Sequence, residues 1–408
     1  MTSSPKISAR WVMLGLISLI NLALGSIYSW SVLSKAAAEA ITTLTGEVLR
    51  SADLGLAFGI ANLLGPLPMV LGGVINDRLG PKLTIMSGGV LVGLGLVACG
   101  WLMTFNGILI AYGLVFGAGL GLTYGATISA AIALFPDRRG LAGGVATAAY
   151  GMSSVVIPPI AQVLIEHVGI AQTFVTLGVV LGGVIVAGGA LLRLETKATV
   201  LTNVADGSLT YREMLATSRF WLLLGLLFCA AMPAMGVISQ AANLAQTVGE
   251  FSLLRASWLV SILALANMLS RLLSGVLSDK WGRVKVLSLA LFLLLVGLGL
   301  LTQSRVSFAL GLLCVGLAFG AFMGIFPGFT TDQFGAAHAS VNYGVMFSGF
   351  ALAGFVAPSL LLASQRAAWS WNAVVSLAAL VVIIGAGLLY AFCQCTKEVN
   401  VRLRRKLS

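Results

Sequence analysis

The chain has 408 residues, of which 59% are hydrophobic and 9% carry a charge, and its mean hydropathy is +1.02. A soluble domain of this size could not tolerate so much apolar surface, so the composition excludes a soluble globular protein and predicts a polytopic protein of the lipid bilayer. The formal net charge is +11, but the basic residues punctuate the apolar segments instead of forming a folded basic domain. We therefore expect no nucleic-acid partner.

Apolar residues recur in runs that are each long enough for a membrane-crossing helix, which needs about 20 of them. The runs lie at residues 11–34, 52–76, 83–104, 107–134, 141–165, 170–192, 220–246, 254–278, 284–304, 307–331, 340–364 and 371–393. None alternates apolar and polar residues in the manner of a barrel strand. The predicted fold class is an all-α membrane protein with twelve transmembrane helices.

The longest polar segment of the chain divides these runs into two sets of six. Residues 193–219 combine seven charged residues with glycine, serine and threonine. We interpret the segment as a cytoplasmic linker between an N-terminal six-helix bundle at 1–192 and a C-terminal six-helix bundle with a basic tail at 220–408. The first run is too long for the apolar region of a signal peptide, so we expect no cleaved leader.

Lysine and arginine lie mostly on one side of the predicted helices. If the N-terminus is cytoplasmic, eighteen of these residues lie inside and five lie outside. Positively charged loops stay in the cytoplasm. The sequence therefore predicts a multi-pass protein of the cell (inner or plasma) membrane with both termini in the cytoplasm.

A charged motif occurs once in each half of the chain. It reads G-x-x-x-D-R-x-G-P-K at 73–82 and G-x-x-x-D-K-x-G-R-x-K at 275–285. A single copy would only anchor a cytoplasmic loop, but two copies at equivalent places indicate an internal duplication. The aspartate can meet a neighbouring helix N-terminus or a basic side chain, which predicts a gate on the cytoplasmic side. The predicted gate residues are Gly73, Asp77, Arg78, Gly275, Asp279, Lys280 and Arg283.

Arg271 is the only charged residue in the middle of an apolar run. A fixed cation in a membrane-spanning segment costs at least ~2.5 kcal/mol, so it should face a wet cavity or a counter-anion. Its guanidinium matches a carboxylate bidentately, although it could instead cap the carbonyls of a broken helix. Asn267, four residues earlier, lies on the same helical face. Arg271 is therefore the leading candidate for an anion-binding residue.

Other patterns give no indication of a cofactor. The five cysteines lack the spacing of a disulfide or zinc framework. The G-x-G-x-G at 117–121 lies inside an apolar run with no strand before it, which indicates close helix packing and not a nucleotide loop. A membrane enzyme would need a nucleophile and a base, yet His167 and His338 both fall in loops. We expect no cofactor, no metal site and no enzymatic activity.

The twelve predicted helices, the central linker and the duplicated motif resemble the major facilitator superfamily of secondary transporters. Several segments further resemble its oxalate/formate antiporter family. They are A-L-G-S-I-Y-S-W-S at 23–31, Y-G at 124–125, F-P-D-R-R-G-L-A-G-G at 135–144, A-Y-G-M at 149–152 and N-Y-G at 342–344. The resemblance implies two pseudo-symmetric six-helix bundles (the MFS fold) around a central site that is exposed to each side of the membrane in turn.

The resemblance also implies which residues line the site. It places a carboxylate substrate on Arg271 and lines the cavity with Tyr28, Trp30, Tyr124 and Tyr150. A tyrosine can offer its hydroxyl to a carboxylate and its ring as an apolar wall.

At four other positions of the expected site, the sequence differs from relatives whose substrate type is known. The family's oxalate carrier has a second cation where this chain has Phe350, and Trp and Tyr where it has Phe319 and Met323. Proton-coupled monocarboxylate carriers often have aspartate at the position of Asn267, and asparagine cannot take up a proton. One cation with apolar walls suits a monocarboxylate better than a dianion.

The sequence therefore predicts a secondary active transporter of a small organic monocarboxylate of the formate, pyruvate or lactate class, acting as an antiporter or a proton-linked carrier. Two alternatives remain open: an oxalate/formate exchanger, and a transporter-like membrane sensor that binds carboxylates without moving them. The expected partners are the carboxylate, the bilayer and a co-transported proton or counter-anion. We expect a monomer.

Overall fold

The computed structural model describes residues 7–46, 48–193, 207–303 and 305–407, and it is almost entirely helical. Within these ranges eleven helices are long and apolar enough to cross a membrane. They are α1 (Ala9–Thr45), α2 (Asp53–Leu79), α3 (Pro81–Trp101), α4 (Phe105–Leu134), Arg139–Leu191 (α5 and α6), α7 (Ser218–Ser239), α8 (Leu254–Trp281), α9 (Arg283–Leu300), α10 (Arg305–Phe334), α11 (Ala339–Leu361) and α12 (Trp371–Thr396).

The segment Arg139–Leu191 holds two membrane crossings. Its 53 residues would extend about 80 Å as one helix, more than twice the hydrocarbon thickness. Gly169 interrupts it with φ +75° and ψ 167°, a backbone conformation that glycine adopts without the steric cost of a Cβ. The chain thus forms α5 (139–168) and α6 (170–191), which brings the number of crossings within the described ranges to twelve and confirms the predicted fold class.

Buried side chains separate into two clusters that follow the two halves of the chain. One comprises residues between Leu14 and Leu192 together with Tyr343 of the second half, and the other comprises residues between Met214 and Phe392. The two-bundle arrangement predicted from the repeated motif is therefore confirmed. The exact boundaries at 1–192, 193–219 and 220–408 stay a prediction, since residues 1–6 and 194–206 lie outside the described part of the chain.

Two helices of the first bundle depart from α-helical geometry. In α1 the residues Gly25–Ser29 form a 3-10 turn, and in α4 the residues Leu109–Phe116 form a π-helical stretch. The two irregular stretches contact each other: the ring of Tyr112 lies 3.9 Å from that of Trp30, and its hydroxyl donates to the carbonyl of Ile27 at 3.5 Å. The irregular parts of α1 and α4 thus pack on each other inside the first bundle.

Turns from both halves meet on one side of the molecule, which we call the loop face. It comprises the turns at 79–81, 135–138, 281–283 and 335–338 and the described end of the linker. A short linker helix, Tyr211–Leu215, begins at a capping box formed by Thr210 and Glu213. The linker is hydrogen-bonded to residues on both sides of the turn at 335–338. Leu209 N–H donates to Phe334 O at 2.9 Å, and Asn342 Nδ2 donates to Leu209 O at 2.8 Å.

Candidate functional site

Arg271 lies near the middle of α8, ten residues before its end at Trp281, so its Cα is about 15 Å from the loop face. The residue is only 3% exposed. Its Nε donates to Asn267 Oδ1 at 2.9 Å, and its Nη1 donates to the carbonyl oxygen of Thr147 on α5 at 3.0 Å. One guanidinium therefore joins both bundles at mid-depth.

Glycines allow the neighbouring helices to approach α8 at this level. A Cβ at Gly144 of α5 would lie 2.6 Å from the carbonyl oxygen of Arg271, and one at Gly324 of α10 would clash with the same oxygen. A Cβ at Gly151 would lie 3.4 Å from the guanidinium Nε. Small residues at these positions are what lets three helices close around one cation.

The charge of the guanidinium has no countercharge among the described residues. Both of its bonded acceptors, the Asn267 amide oxygen and the Thr147 carbonyl, are neutral. The ion pairs formed in the described part of the chain do not include Arg271, and Nη2 has no protein partner there. An anion that enters beside Nη2 would meet an uncompensated positive charge at low dielectric, where such a bond is strong.

Aromatic side chains form a continuous row that crosses from one bundle to the other beside the guanidinium. The ring of Tyr28 lies 5.5 Å from Tyr150, which lies 4.9 Å from Tyr124. Tyr124 lies 5.8 Å from Phe347, which stacks on Phe350 at 4.6 Å. This part of the row thus presents three phenol groups on the first bundle and the apolar rings of Phe347 and Phe350 on the second.

The two ends of the aromatic row are the predicted residues Phe319, in the second bundle, and Tyr28, in the first. Phe319 continues it in the second bundle, with its ring 6.1 Å from Phe350. Tyr28 is 37% exposed and marks the end at which the row reaches the accessible surface. The structure therefore brings together the three predicted tyrosines, Phe319, Phe350 and the Arg271–Asn267 pair.

Two residues of the row, Tyr343 and Phe347 on α11, were not predicted. The side chains of Tyr343 and Tyr124 interact electrostatically across the two bundles, and the ring of Tyr343 lies 5.8 Å from that of Phe347. The charge of Arg271 acts on the hydroxyls of Tyr343, Tyr124 and Tyr150. The N-Y-G motif already contained Tyr343, and Phe347 follows it by one helical turn, so the same face could have been extended from the sequence.

Two further predicted residues are buried in the cores of the bundles. Trp30 packs on Tyr112 inside the first bundle and is 5% exposed. Met323 is 3% exposed and belongs to the buried core of the second bundle, as Phe319 does. Among the described residues, Trp30 forms no ring contact with the aromatic row.

At the loop face, α8 is bonded to the beginning of α5. The carboxylate of Asp279 accepts the backbone N–H groups of Gly140 and Leu141, each at 2.8 Å, and pairs with Arg283 Nη1 at 2.8 Å. A carboxylate at a helix N-terminus is stabilised by the unsatisfied N–H groups and the helix dipole. Gly275 contacts Gly140 so closely that a Cβ at Gly275 would clash with the Gly140 carbonyl oxygen.

Asp332 of α10 extends this network. It accepts Arg283 Nε at 2.9 Å and Arg139 Nη1, from the first bundle, also at 2.9 Å. The side chain of Arg283 is 11% exposed and that of Asp332 is 31% exposed, so these pairs are less screened than surface ion pairs. Together the bonds fasten α5 to α8 and α10.

The second copy of the motif lies at the contact between α2 and α11. A Cβ at Gly73 would lie 2.7 Å from the Cα of Val341, and Asp77 Oδ2 lies 3.1 Å from His338 Nδ1. The two predicted basic gate residues, Arg78 and Lys280, are exposed and form no ion pair within the described part of the chain. The loop face is thus joined along two separate lines of contact.

The described residues contain no group of three or more histidine, cysteine, aspartate or glutamate side chains that could hold a metal ion. The same residues form no disulfide, and all five cysteines are free.

A sequence model of the Major Facilitator Superfamily matches residues 8–358 and 244–406. The chain belongs to the major facilitator superfamily. It is therefore an integral membrane transporter of small molecules and not an enzyme. A human organic anion transporter of this fold, MFSD10 (TETRAN), superposes with a TM-score of 0.72 and 16% identity, over 94% of this chain and 100% of the other.

Two curated relatives align over most of the transporter. One is the Oxalate:formate antiporter of Oxalobacter formigenes, 27% identical over 93% of this chain and 90% of the relative. The other is the MFS-type transporter YhjX of Escherichia coli strain K12, 29% identical over 86% and 87% of the two chains. The predicted resemblance to the superfamily and to the oxalate/formate antiporter family is confirmed at this level of identity.

Proposed function

We propose that the transporter carries a small organic monocarboxylate of the formate, pyruvate or lactate class. The observation that supports this most is the buried Arg271, which is held by two neutral acceptors and has no countercharge among the described residues. One guanidinium neutralises one carboxylate. The substrate carboxylate would bind at Nη2, and its apolar remainder would lie against the rings of Phe347 and Phe350.

The alternative is an oxalate/formate exchanger, which the name of one relative favours. The geometry favours a monoanion, because the position of a second cation is Phe350 and the rings around it are apolar. A second carboxylate against Phe350 would be desolvated without a partner, which costs several kcal/mol in effective terms.

We infer that the bonds at the loop face form the gate of an alternating-access cycle. The proposed gate residues Gly73, Asp77, Gly275, Asp279 and Arg283 lie at contacts between the two bundles. Opening the loop face would break the Asp279 and Arg283 bonds and part α2 from α11, while the site around Arg271 stays at mid-depth.

The bias of lysine and arginine supports a cytoplasmic loop face, cytoplasmic termini and a position in the cell (inner or plasma) membrane. A reporter fused after Ser408 should then be cytoplasmic, and a tag beside Glu250 should be reachable from outside. The companion site for an outside tag, Glu47, lies outside the described residues. We further propose a monomer that exchanges its substrate for a counter-anion or moves it with a proton.

The decisive experiment is counterflow in proteoliposomes that hold the purified protein. Vesicles loaded with unlabelled formate, lactate, pyruvate or oxalate should accumulate labelled substrate transiently, and Arg271→Ala should abolish the signal. Binding without counterflow for every carboxylate would instead identify a sensor. Arg305→Ala serves as the matched control, because Arg305 is exposed and pairs with Glu250 away from the site.

A further inference from the structure

The two lines of contact that join the loop face differ in chemistry. Between α5, α8 and α10 the carboxylates of Asp279 and Asp332 bind two arginines and two backbone N–H groups. Arginine stays protonated throughout the physiological range, and carboxylates protonate only near pH 4. Within the described residues, this contact contains no histidine.

The contact between α2 and α11 contains a histidine, the side-chain type that generally gains and loses a proton near physiological pH. His338 Nδ1 lies 3.1 Å from Asp77 Oδ2. The side chains are 35% and 16% exposed, so protons from the solvent can reach the imidazole. A neutral ring offers Asp77 one hydrogen bond, whereas a protonated ring adds an ion pair to it.

A second carboxylate acts on the same imidazole. Glu213 of the linker helix interacts electrostatically with His338, and hydrogen bonds from the backbone and hydroxyl of Thr210 hold the pKa of Glu213 below its ordinary value. Glu213 is therefore ionised at neutral pH. The imidazole thus has one carboxylate on α2 and another on the linker, and Asp332, on the preceding helix, is already bound by two arginines.

This contact combines close packing with unpartnered polar atoms. A Cβ at Gly344 of α11 would lie 3.0 Å from the backbone nitrogen of Val70 on α2. Three buried oxygen atoms of these helices have no hydrogen-bond partner in the described structure: Asn76 Oδ1 on α2, and Ser340 Oγ and Asn342 Oδ1 on α11. A buried polar atom without a partner costs about 1–3 kcal/mol, a cost that water would remove if the helices separated. The charge on His338 adds to these contributions and is the one that depends on pH.

We propose that His338 is a proton-binding site that holds the loop face closed when it is protonated. Protonation adds an ion pair that exists only while α2 and α11 are in contact, so lowering the pH through the range in which imidazoles titrate favours the joined loop face. Raising the pH removes the ion pair and favours opening. The Leu209–Phe334 and Asn342–Leu209 hydrogen bonds attach the linker to the ends of α10 and α11, so the linker helix should move together with these ends.

The position of His338 separates this role from proton transport. The residue lies at the loop face and not at the depth of Arg271, so it exchanges protons with one compartment only. It would change the rate of opening without carrying a proton across the membrane. The inference does not depend on which anion the transporter carries.

The test measures the separation of the two bundles at the loop face by spin-label distances in nanodiscs. The five free cysteines are replaced, and labels are attached at Lys82 on the first bundle and Gln333 on the second. Between about pH 7.5 and about pH 5.5 the joined population should rise about threefold, as an added ion pair at a partly exposed position allows. His338→Gln should remove this response, and His338→Lys should keep the joined population high at both pH values.

The only other histidine provides a matched control. The chain has two histidines, and His167 lies beside the turn at Gly169, on the side opposite the loop face, so His167→Gln should retain the full response. An unmodified protein whose distances do not change with pH, or a response that persists in His338→Gln, overturns the proposal. It is also overturned if His338→Gln changes the number of protons that a pH-sensitive dye in proteoliposomes records per substrate moved.

Discussion

Arg271 Nε donates a hydrogen bond to Asn267 Oδ1 at 2.9 Å, one helical turn earlier on α8. The amide orients the guanidinium without neutralising it. A carboxylate at the same place would form an internal ion pair, and an incoming anion would then have to compete with it. The asparagine therefore leaves the full charge of Arg271 for a substrate.

Replacing Arg271 tests the site directly. We expect Arg271→Ala to abolish carboxylate uptake, because Arg271 is the one cation that the described residues place beside the aromatic row. Arg271→Lys should recover little, since an ammonium lacks the planar fork of donors. Initial rates of labelled uptake, normalised to protein in the membrane, check both variants. Uptake by Arg271→Ala at the unmodified rate would place the anion elsewhere.

Asn267→Asp should create the missing countercharge. The new carboxylate would pair with Arg271, so affinity for a monocarboxylate at about pH 7.5 should fall roughly tenfold, which corresponds to ~1.4 kcal/mol. Because an ion pair with arginine favours the charged carboxylate, lowering the pH to about 5.5 should not restore the affinity. Competition uptake at the two pH values measures this, and neutral Asn267→Gln is the control. Equal affinity in the two variants at the higher pH would contradict the assignment.

Phe350 should determine the charge of the preferred substrate. In the unmodified protein we expect oxalate to compete about a hundredfold less well than a monoanion of similar size, the equivalent of ~2.8 kcal/mol, because its second carboxylate would lie against an aromatic ring. Phe350→Lys should shift the preference toward dianions, whereas Phe350→Leu should not. If oxalate is the best competitor of the unmodified protein, a second cation must reach the site.

Asp279→Asn should affect transport rate more than equilibrium binding. The substitution keeps the shape of the side chain but removes the charge that binds Arg283 and the N-terminus of α5, so the closed loop face loses stability. Binding by titration calorimetry and exchange rate in proteoliposomes are compared. Asp53→Asn is the control, since Asp53 pairs with Arg50 on the side opposite the loop face. Equal losses of binding and rate would indicate that Asp279 contacts the substrate.

The sequence predicted the fold and the contact between Arg271 and Asn267. Long apolar runs and a duplicated motif are local signals, and helical spacing alone placed Asn267 beside Arg271. On α11 the prediction included Phe350 but not Tyr343 or Phe347. Helical spacing could have put these two residues on one face of α11, but their closeness to Tyr124 joins residues more than half the chain apart, and spacing within one helix does not indicate which helix that face meets.

Trp30 shows what helical spacing implies for two side chains that are two residues apart. Two residues advance about 200° along an α-helix and about 240° along a 3-10 helix. Tyr28 and Trp30 therefore point in widely different directions in either geometry. Tyr28 lies next to Tyr150, whereas Trp30 packs on Tyr112.

In the cycle that we propose, the absence of a countercharge to Arg271 among the described residues would make one branch only sensitive to voltage. The empty site carries one positive charge, and the site with a bound monoanion is neutral. The membrane potential acts with about 2.3 kcal/mol per elementary charge per 100 mV, so it acts on reorientation of the empty transporter and not of the loaded one. Exchange of one monoanion for another would then be independent of voltage, whereas net uptake into a negatively charged compartment would be slowed, because each cycle must return a positive charge outward.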